Sequence, residues 1–219
     1  MQVKLVKNLK WLGHDSFRLD GARIIYFDPW QLPNGMPAAD LVFISHEHSD
    51  HCSPADVIKI VAAHTVIVAN PTAASKLKGG LKDHVRVLRP GDRTSIAGVP
   101  VQAVPAYNIN KFRRPGLPFH PQSALHNGYI VTIDGENIYF AGDTDHIPEM
   151  AAIDCDLALL PVSGTYVMTA QEAAKAAQVI QPRVAAPMHY GAGVAGTVAD
   201  AKQFAALYEG QVVIFDQTR

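Results

Sequence analysis

Cysteine is scarce. Cys52 and Cys155 are the only two in 219 residues, too few for the disulfide lattice that staples small secreted domains. Long apolar runs are missing as well: no window approaches the roughly 18 uninterrupted hydrophobic residues of a membrane span. The opening Met1-Gln2-Val3-Lys4-Leu5 carries neither the apolar stretch nor the cleavage pattern of a secretory leader. Neither sign of charge prevails, with 19 Lys and Arg against 20 Asp and Glu and a formal net charge of -1. That balance gives no support to a basic nucleic-acid grip or an acidic tail. Gly79-Gly80 and Gly191-Ala192-Gly193 lack the flanking residues of a Walker loop or a dinucleotide fingerprint. The absences together lead to the expectation of a cytoplasmic protein with a small-molecule partner, no membrane contact and no nucleic acid. They say nothing of oligomeric state.

What is present is apolar and finely divided. Hydrophobic residues make up 48% and charged residues 18%, enough to bury one large core, so a single domain over residues 1–219 is expected. Short strands are expected at 3–8, 16–20, 24–27 and 41–44; the last, Leu41-Val42-Phe43-Ile44, is a continuous apolar run suited to burial on both faces. A helix over 54–63 follows, with Ser53 as cap and Pro54 at its first position, then a strand at 65–69 and a second helix at 71–77 ending at Gly79-Gly80. Further strands are expected at 85–88, 95–96 and 99–104. Residues 105–127 hold four prolines and little periodicity, the mark of a functional loop. A hairpin at 129–133 and 137–140 delivers Gly142-Asp143-Thr144. The rest reads as a strand at 157–160, a helix at 170–180 with capping-box spacing between Thr169 and Glu172, a strand at 184–186, a helix at 198–208 and a strand at 212–215.

The densest chemistry is His46-Glu47-His48-Ser49-Asp50-His51, directly after the buried run. Borderline cations such as zinc prefer imidazole nitrogen and carboxylate oxygen, so this is a ligand set at the end of a rigid strand. Alternation in extended chain points His46, His48 and Asp50 one way and leaves His51 free to turn toward a second ion. A pair of divalent cations would activate a water molecule and polarise the oxygen under attack, and Asp143 fits as bridge and proton acceptor.

The cluster resembles the signature His-x-His-x-Asp-His of the metallo-β-lactamase superfamily. Asp28 after an early strand, Gly142-Asp143-Thr144 after a hairpin and His189 after a late strand follow in the family's order. The resemblance implies a four-layer αββα sandwich of α/β class. It implies a first ion on His46 and His48, a second on Asp50, His51 and His189, and Asp143 between them. It further implies a metal-dependent hydrolase that uses a metal-bound hydroxide at a dinuclear zinc site, with Mn2+ or Fe2+ as alternative metals, to cleave a small ester, lactone or phosphodiester. Trp11-Leu12-Gly13-His14-Asp15-Ser16-Phe17, Val104-Pro105-Ala106-Tyr107-Asn108 and Pro187-Met188-His189-Tyr190-Gly191 resemble the small single-domain branch related to ascorbate-6-phosphate lactonase.

One departure concerns the third ligand of the first ion. Asn108 stands where the family places a histidine, and His120, between prolines in the following loop, is favoured over Asn108 and His126. Asp28 and Thr144 are expected to brace ligating imidazoles, and His14 to touch substrate or ligands. Lys111, Arg113 and Arg114 form a basic group able to receive an anionic substrate, with Arg113 or Arg114 as the contact. Glu47 is expected to face solvent, His64 and His84 to be ordinary strand-end residues, and Cys52 to be a small buried residue. The competing readings are a nuclease of the same fold, an iron-dependent oxidoreductase of the same fold, from which His48 and the short chain depart, and a metal-free binding module.

Overall fold

A computed structural model describes residues 3–218. Two six-stranded sheets face one another. The first runs in chain order through β1 (Leu9–Gly13), β2 (Ser16–Leu19), β3 (Ile25–Phe27), β4 (Leu41–Ile44), β5 (Val66–Ala69) and β6 (Val85–Val87), antiparallel up to β3 and parallel thereafter. The second contains β7 (Arg93–Ile96), β8 (Val99–Pro105), β11 (Asn127–Ile133), β12 (Glu136–Phe140), β13 (Leu157–Pro161) and β14 (Val184–Met188), again antiparallel and then parallel. Between β8 and β11 the loop folds a small hairpin, β9 (Phe112–Arg114) and β10 (Leu117–Pro118), where the sequence suggested only irregular chain.

The inner faces meet through aromatic contacts. Phe27 stacks on Phe43 at 5.3 Å and on Phe140 of the opposing sheet at 5.2 Å, and Phe43 lies 5.1 Å from Tyr129. Such rings bury large apolar areas and set the sheet separation. The outer face of the first sheet, Tyr26, Val42, Ile44 and Ile67, packs with Val57 and Ile60 of α2 (Pro54–Ile60), and α3 (Pro71–Ala74) adds Ala73. The outer face of the second sheet is covered by α4 (Ala170–Ile180), whose small residues Ala173, Ala174 and Ala177 let it approach closely, and by Ala201 and Phe204 of α5 (Val198–Leu207). The layers are therefore helix, sheet, sheet, helix, as the resemblance implies. No helix among the described residues is long and apolar enough to cross a membrane.

Several local expectations fail for reasons outside local sequence. Residues 3–8 are not a strand: Leu5–Asn8 is a helical turn (α1), because the amides of Lys4 and Leu5 donate to the Glu136 carboxylate from β12. The helix from Pro54 stops at Ile60, where Val61 turns extended and the Ala62 amide donates to Thr65 Oγ1. Gly79-Gly80 opens a 3-10 helix, Gly79–His84, rather than closing an α-helix. Residues 212–215 form no strand. The terminal segment pairs briefly with β14 through Ala185 and Val212, then crosses to β1, where Thr218 N donates to Trp11 O and Gln217 Nε2 to Leu12 O.

Candidate metal centre

The strand ends determine the site. Asp28 follows β3, His46 to His51 follow β4, Asp143 follows β12 and His189 follows β14, so all four segments emerge at the same edge of the sandwich. The two-residue turn His14-Asp15 between β1 and β2 reaches the same place. Three of these residues, His14 (φ 54°), Asp28 (φ 38°) and His189 (φ 61°), hold the left-handed backbone that side chains other than glycine rarely adopt. Strain of this kind is retained where the surrounding structure over-determines a functional geometry. Gly142 (φ +64°) has a different reason: a Cβ there would lie 3.0 Å from both Asn127 O and Ser45 Cβ, so only glycine lets Asp143 enter.

Two groups of donor atoms converge. In the first, His48 Nδ1 lies 3.0 Å from His46 Nε2 and 3.2 Å from His120 Nε2, and Asp143 Oδ2 lies 3.2 Å from His120 Nε2 and 3.8 Å from His46 Nε2. These separations bracket the edge of about 3.3 Å of a tetrahedron built on 2.0–2.1 Å metal–nitrogen bonds. In the second, His51 Nε2 and His189 Nε2 each lie 3.4 Å from Asp143 Oδ1, and Asp50 Oδ2 is 3.7 Å from His51 Nε2. Asp143 thus presents one oxygen to each group. His51 Nε2, His189 Nε2 and Asp143 Oδ1 are buried without a hydrogen-bond partner among the described residues. Buried polar atoms are normally satisfied, so orphaned donors aimed at one point fit a cation.

The far nitrogens of four of the imidazoles are engaged. His51 Nδ1 is 2.7 Å from Asp28 Oδ2, His46 Nδ1 is 2.9 Å from Ser45 Oγ, His120 Nδ1 is 2.9 Å from Asn108 Oδ1, and His189 Nδ1 is 2.8 Å from Ser163 Oγ. Such partners fix ring orientation and leave the other nitrogen free to coordinate. Ser45 in turn donates to Asp28, so one carboxylate steadies two rings.

Electrostatics divide the two groups. Burial, reinforced by the neighbouring rings, holds His46 well below the usual imidazole range and His48 down at about 4. Burial also opposes charge on His51 and His189, but Asp143, Asp28 and Asp15 outweigh it for His51, and Asp143 and Asp15 raise His189 to about 9. Asp143 is held well below the carboxylate range because His51, His189 and His120 overcome its desolvation.

Several expected roles shift. Asn108 does not face the donor group: its Oδ1 accepts from the His120 backbone and ring, and its Nδ2 donates to Asp145 Oδ1 and Tyr166 O. His120, by contrast, is buried in the first group. His126 lies 3.0 Å from Glu47 Oε2, behind His46. Glu47 consequently does not face solvent; it also accepts from Thr72, and these bonds overcome burial to hold its carboxyl well below the usual range. Thr144 braces no imidazole, because its hydroxyl donates to the carbonyls of Tyr107 and Asp145. His14 Nε2 meets Asp50 Oδ2 at 3.1 Å. Of the basic group, Lys111 is paired with Glu172 at 2.8 Å, Arg114 is exposed on β9 outside the cavity, and Arg113 lines it. Burial pushes the Cys52 thiol up to about 12, which removes it as an ordinary thiolate. His64 is exposed near Asp40, and His84 Nδ1 contacts Thr65 O. Asp15, Ser45, Ser163 and Tyr166 escaped the sequence reading. Only Asp15 left a trace there, as a second ligand-type residue in the turn Gly13-His14-Asp15-Ser16.

A family model described as the beta-lactamase superfamily domain matches residues 8–189. The chain belongs to the metallo-β-lactamase superfamily. A UPF0173 metal-dependent hydrolase of Thermococcus kodakarensis is 34% identical over 200 residues, covering 83% of this chain and 84% of that protein. Another from Methanoculleus marisnigri is 34% identical over 187 residues, covering 83% and 80%. Among solved structures, one from Parabacteroides distasonis, named for a metal-dependent hydrolase, superposes with a TM-score of 0.80 at 32% identity, covering 96% of this chain and 93% of that one. Membership places the protein among the metal-dependent hydrolases of this superfamily, with the αββα fold.

Proposed function

We propose that the centre takes two divalent ions, Zn2+ foremost with Mn2+ or Fe2+ as alternatives, and hydrolyses a small ester, lactone or phosphodiester bearing an anionic group. The observation that carries this reading is the convergence of His46 Nε2, His48 Nδ1, His120 Nε2 and Asp143 Oδ2. His46, His48 and His120 with Asp143 would hold the first ion; His51, His189, Asp50 and Asp143 would hold the second. When bound, such a pair supplies a water of lowered pKa and a Lewis acid for the oxygen being attacked.

The chain's own residues do the rest. Asp143 ties the two positions through its separate oxygens. Asp50, partly open to the cavity, is kept ionised because His14 and His51 overcome its desolvation; its place beside the cavity, rather than its basicity, makes it the candidate proton acceptor. The cavity above the donors measures about 370 Å3 and includes Arg113, Phe119, Tyr166 and Val194. This is near the lower end of ligand clefts and suits a small molecule better than a polymer. The Arg113 guanidinium lies over the Phe119 ring, 5.3 Å from its centroid, with Nη2 3.4 Å from His48 Nε2. Its planar fork is the group on the cavity wall suited to a substrate carboxylate or phosphate. The cytoplasmic assignment stays part of this proposal, and the free, buried Cys52 and Cys155 accord with it.

Metal analysis of the purified protein, joined to a hydrolysis panel of phosphodiesters, lactones and thioesters, is the deciding experiment. About two ions per chain and turnover lost in His48→Ala and Asp50→Ala, with unchanged circular dichroism, are expected. Near-normal turnover in either variant would sink the site. Arg113→Ala should raise KM for anionic substrates by about tenfold or more, corresponding to the 1.5–3 kcal/mol of a charged hydrogen bond, and leave neutral substrates unaffected.

A further inference from the structure

The turn between β1 and β2 is built the wrong way round for a hairpin tip. Two-residue turns ordinarily present polar side chains to water, yet His14 and Asp15 are both 0% exposed. The inversion is achieved by the backbone: Gly13 (φ 117°) and His14 (φ 54°) occupy positive φ, and the register slips between Trp11 and Gly13. The His14 carbonyl is held by Trp11 Nε1 at 2.8 Å and by the His189 amide at 3.2 Å, which pins the turn against the strand end that carries His189.

The carboxylate so delivered has no donor. Neither oxygen of Asp15 meets a hydrogen-bond partner among the described residues. Its Oδ2 lies 3.5 Å from His51 Nε2, 3.7 Å from His14 Nε2 and 3.9 Å from His189 Nε2. The first and last of these nitrogens are themselves orphaned, and both face Asp143 Oδ1 from 3.4 Å. A buried carboxylate without a single hydrogen bond is strongly disfavoured. Three orphaned lone-pair donors, one carboxylate oxygen and two imidazole nitrogens, gathered around one point are satisfied together by a cation among them.

We infer that Asp15 is a ligand of the second metal position, making it a carboxylate-rich site that takes a hard, six-coordinate ion such as Mn2+, beside a first position built mainly of imidazole. This rests on the two-ion reading above. The donor sets carry the distinction. The first position has three imidazoles and one carboxylate oxygen, the tetrahedral nitrogen-rich pattern of zinc. Around the second stand His51 and His189 with Asp15, Asp143 and Asp50, and oxygen donors in that number suit ions of higher coordination. His14 is then a positioning residue, its Nε2 holding Asp50 at 3.1 Å. With Asp15 included, three carboxylates face two dications, leaving a net charge of +1 instead of +2 in a buried site.

The test uses metal binding rather than turnover. Wild type, Asp15→Asn, Asp15→Ser and His48→Ala are stripped with chelator and re-equilibrated with Zn2+, Mn2+ and their mixture, and bound metal is read by elemental analysis and Mn2+ electron paramagnetic resonance. Wild type should take one ion of each kind from the mixture. Asp15→Asn should keep the first ion and bind Mn2+ at the second at least about tenfold more weakly, the lower end of what even an outer-shell partner costs. His48→Ala should show the reverse. Unchanged second-ion affinity and metal preference in both Asp15 variants, with the first ion lost in His48→Ala, would overturn the Asp15 assignment alone. One ion in wild type would overturn the two-ion reading instead. If the Asp15 variants do not fold, Co2+ titration of wild type decides: one intense and one weak visible band, for a four- and a six-coordinate ion, support the proposal, and two intense bands refute it.

Discussion

Asn108 illustrates how far a single residue's meaning depends on its orientation. Its amide oxygen receives both the backbone and the ring of His120, while its nitrogen is spent on Asp145 and Tyr166. Asn108→Ala should therefore weaken metal binding by roughly 10- to 100-fold through loss of ring orientation, and His120→Ala should do so more severely. Competition against a chromogenic chelator ranks the two, and a stronger effect from Asn108→Ala would reverse their roles. In sequence, both residues lay in a proline-rich loop with no periodicity, and only the prolines flanking His120 favoured it as the one facing inward. The cluster from His46 to His51 was legible because all its members follow one apolar strand. Ser163 and Ser45 were not, because a serine becomes a brace only when a distant strand end brings an imidazole to it.

At the scale of elements, caps and turns set the geometry that the centre inherits. The α4 capping box joins Thr169 and Glu172, and Glu172 also receives Lys111 and Asn110 from the loop that carries Arg113. Thr169→Ala should cost about 1 kcal/mol in denaturant unfolding. Burial works against ionised Glu172, but Lys111, the Thr169 amide and Asn110 prevail and lower its pKa from 4.5 to about 2. A lowered folded-state pKa gives stability that is complete above about 4.5 and disappears as pH falls through about 2. The stability difference between wild type and Glu172→Gln should accordingly be largest near neutrality and shrink below pH 4.5; a constant difference would argue against the pairing. Gly142→Ala, strained at φ +64° and pressed on Asn127 and Ser45, should lose about 1–3 kcal/mol. Elements of this kind were readable where the cue is local, as in the Ser53-Pro54 start of α2 and the Thr169 box. They were misread where a remote partner decides, as when Glu136 curls residues 5–8 into α1.

For the whole molecule, the centre lies between two half-structures. The first sheet and its loops supply His14, Asp15, Asp28 and the His46 to His51 segment, whereas His120, Asp143 and His189 come from the second sheet and its loops. An ion held by both halves stabilises the native state by mass action, about 2.7 kcal/mol at a hundredfold excess over Kd. Chelation should lower the melting temperature, and re-addition should restore it in wild type but not in Asp143→Ala. The αββα layering was open to sequence reasoning through the family signature and the order of its matches. The path of residues 211–218 was not, since its bridges to Ala185 and Trp11 involve no regular strand.

That terminal path links the last stretch of chain to the first hairpin: Gln217 reaches back across 205 positions to the Leu12 carbonyl, two residues before His14. Every donor to the centre precedes this tie in the chain. A chain cut after residue 210 would keep all the imidazoles and carboxylates of the site but leave the hairpin that carries His14 and Asp15 unfastened at Trp11 and Leu12. Such a shortened chain should therefore hold metal more weakly than the whole one, so that the grip on metal reports whether residues 211–218 are seated against the first hairpin.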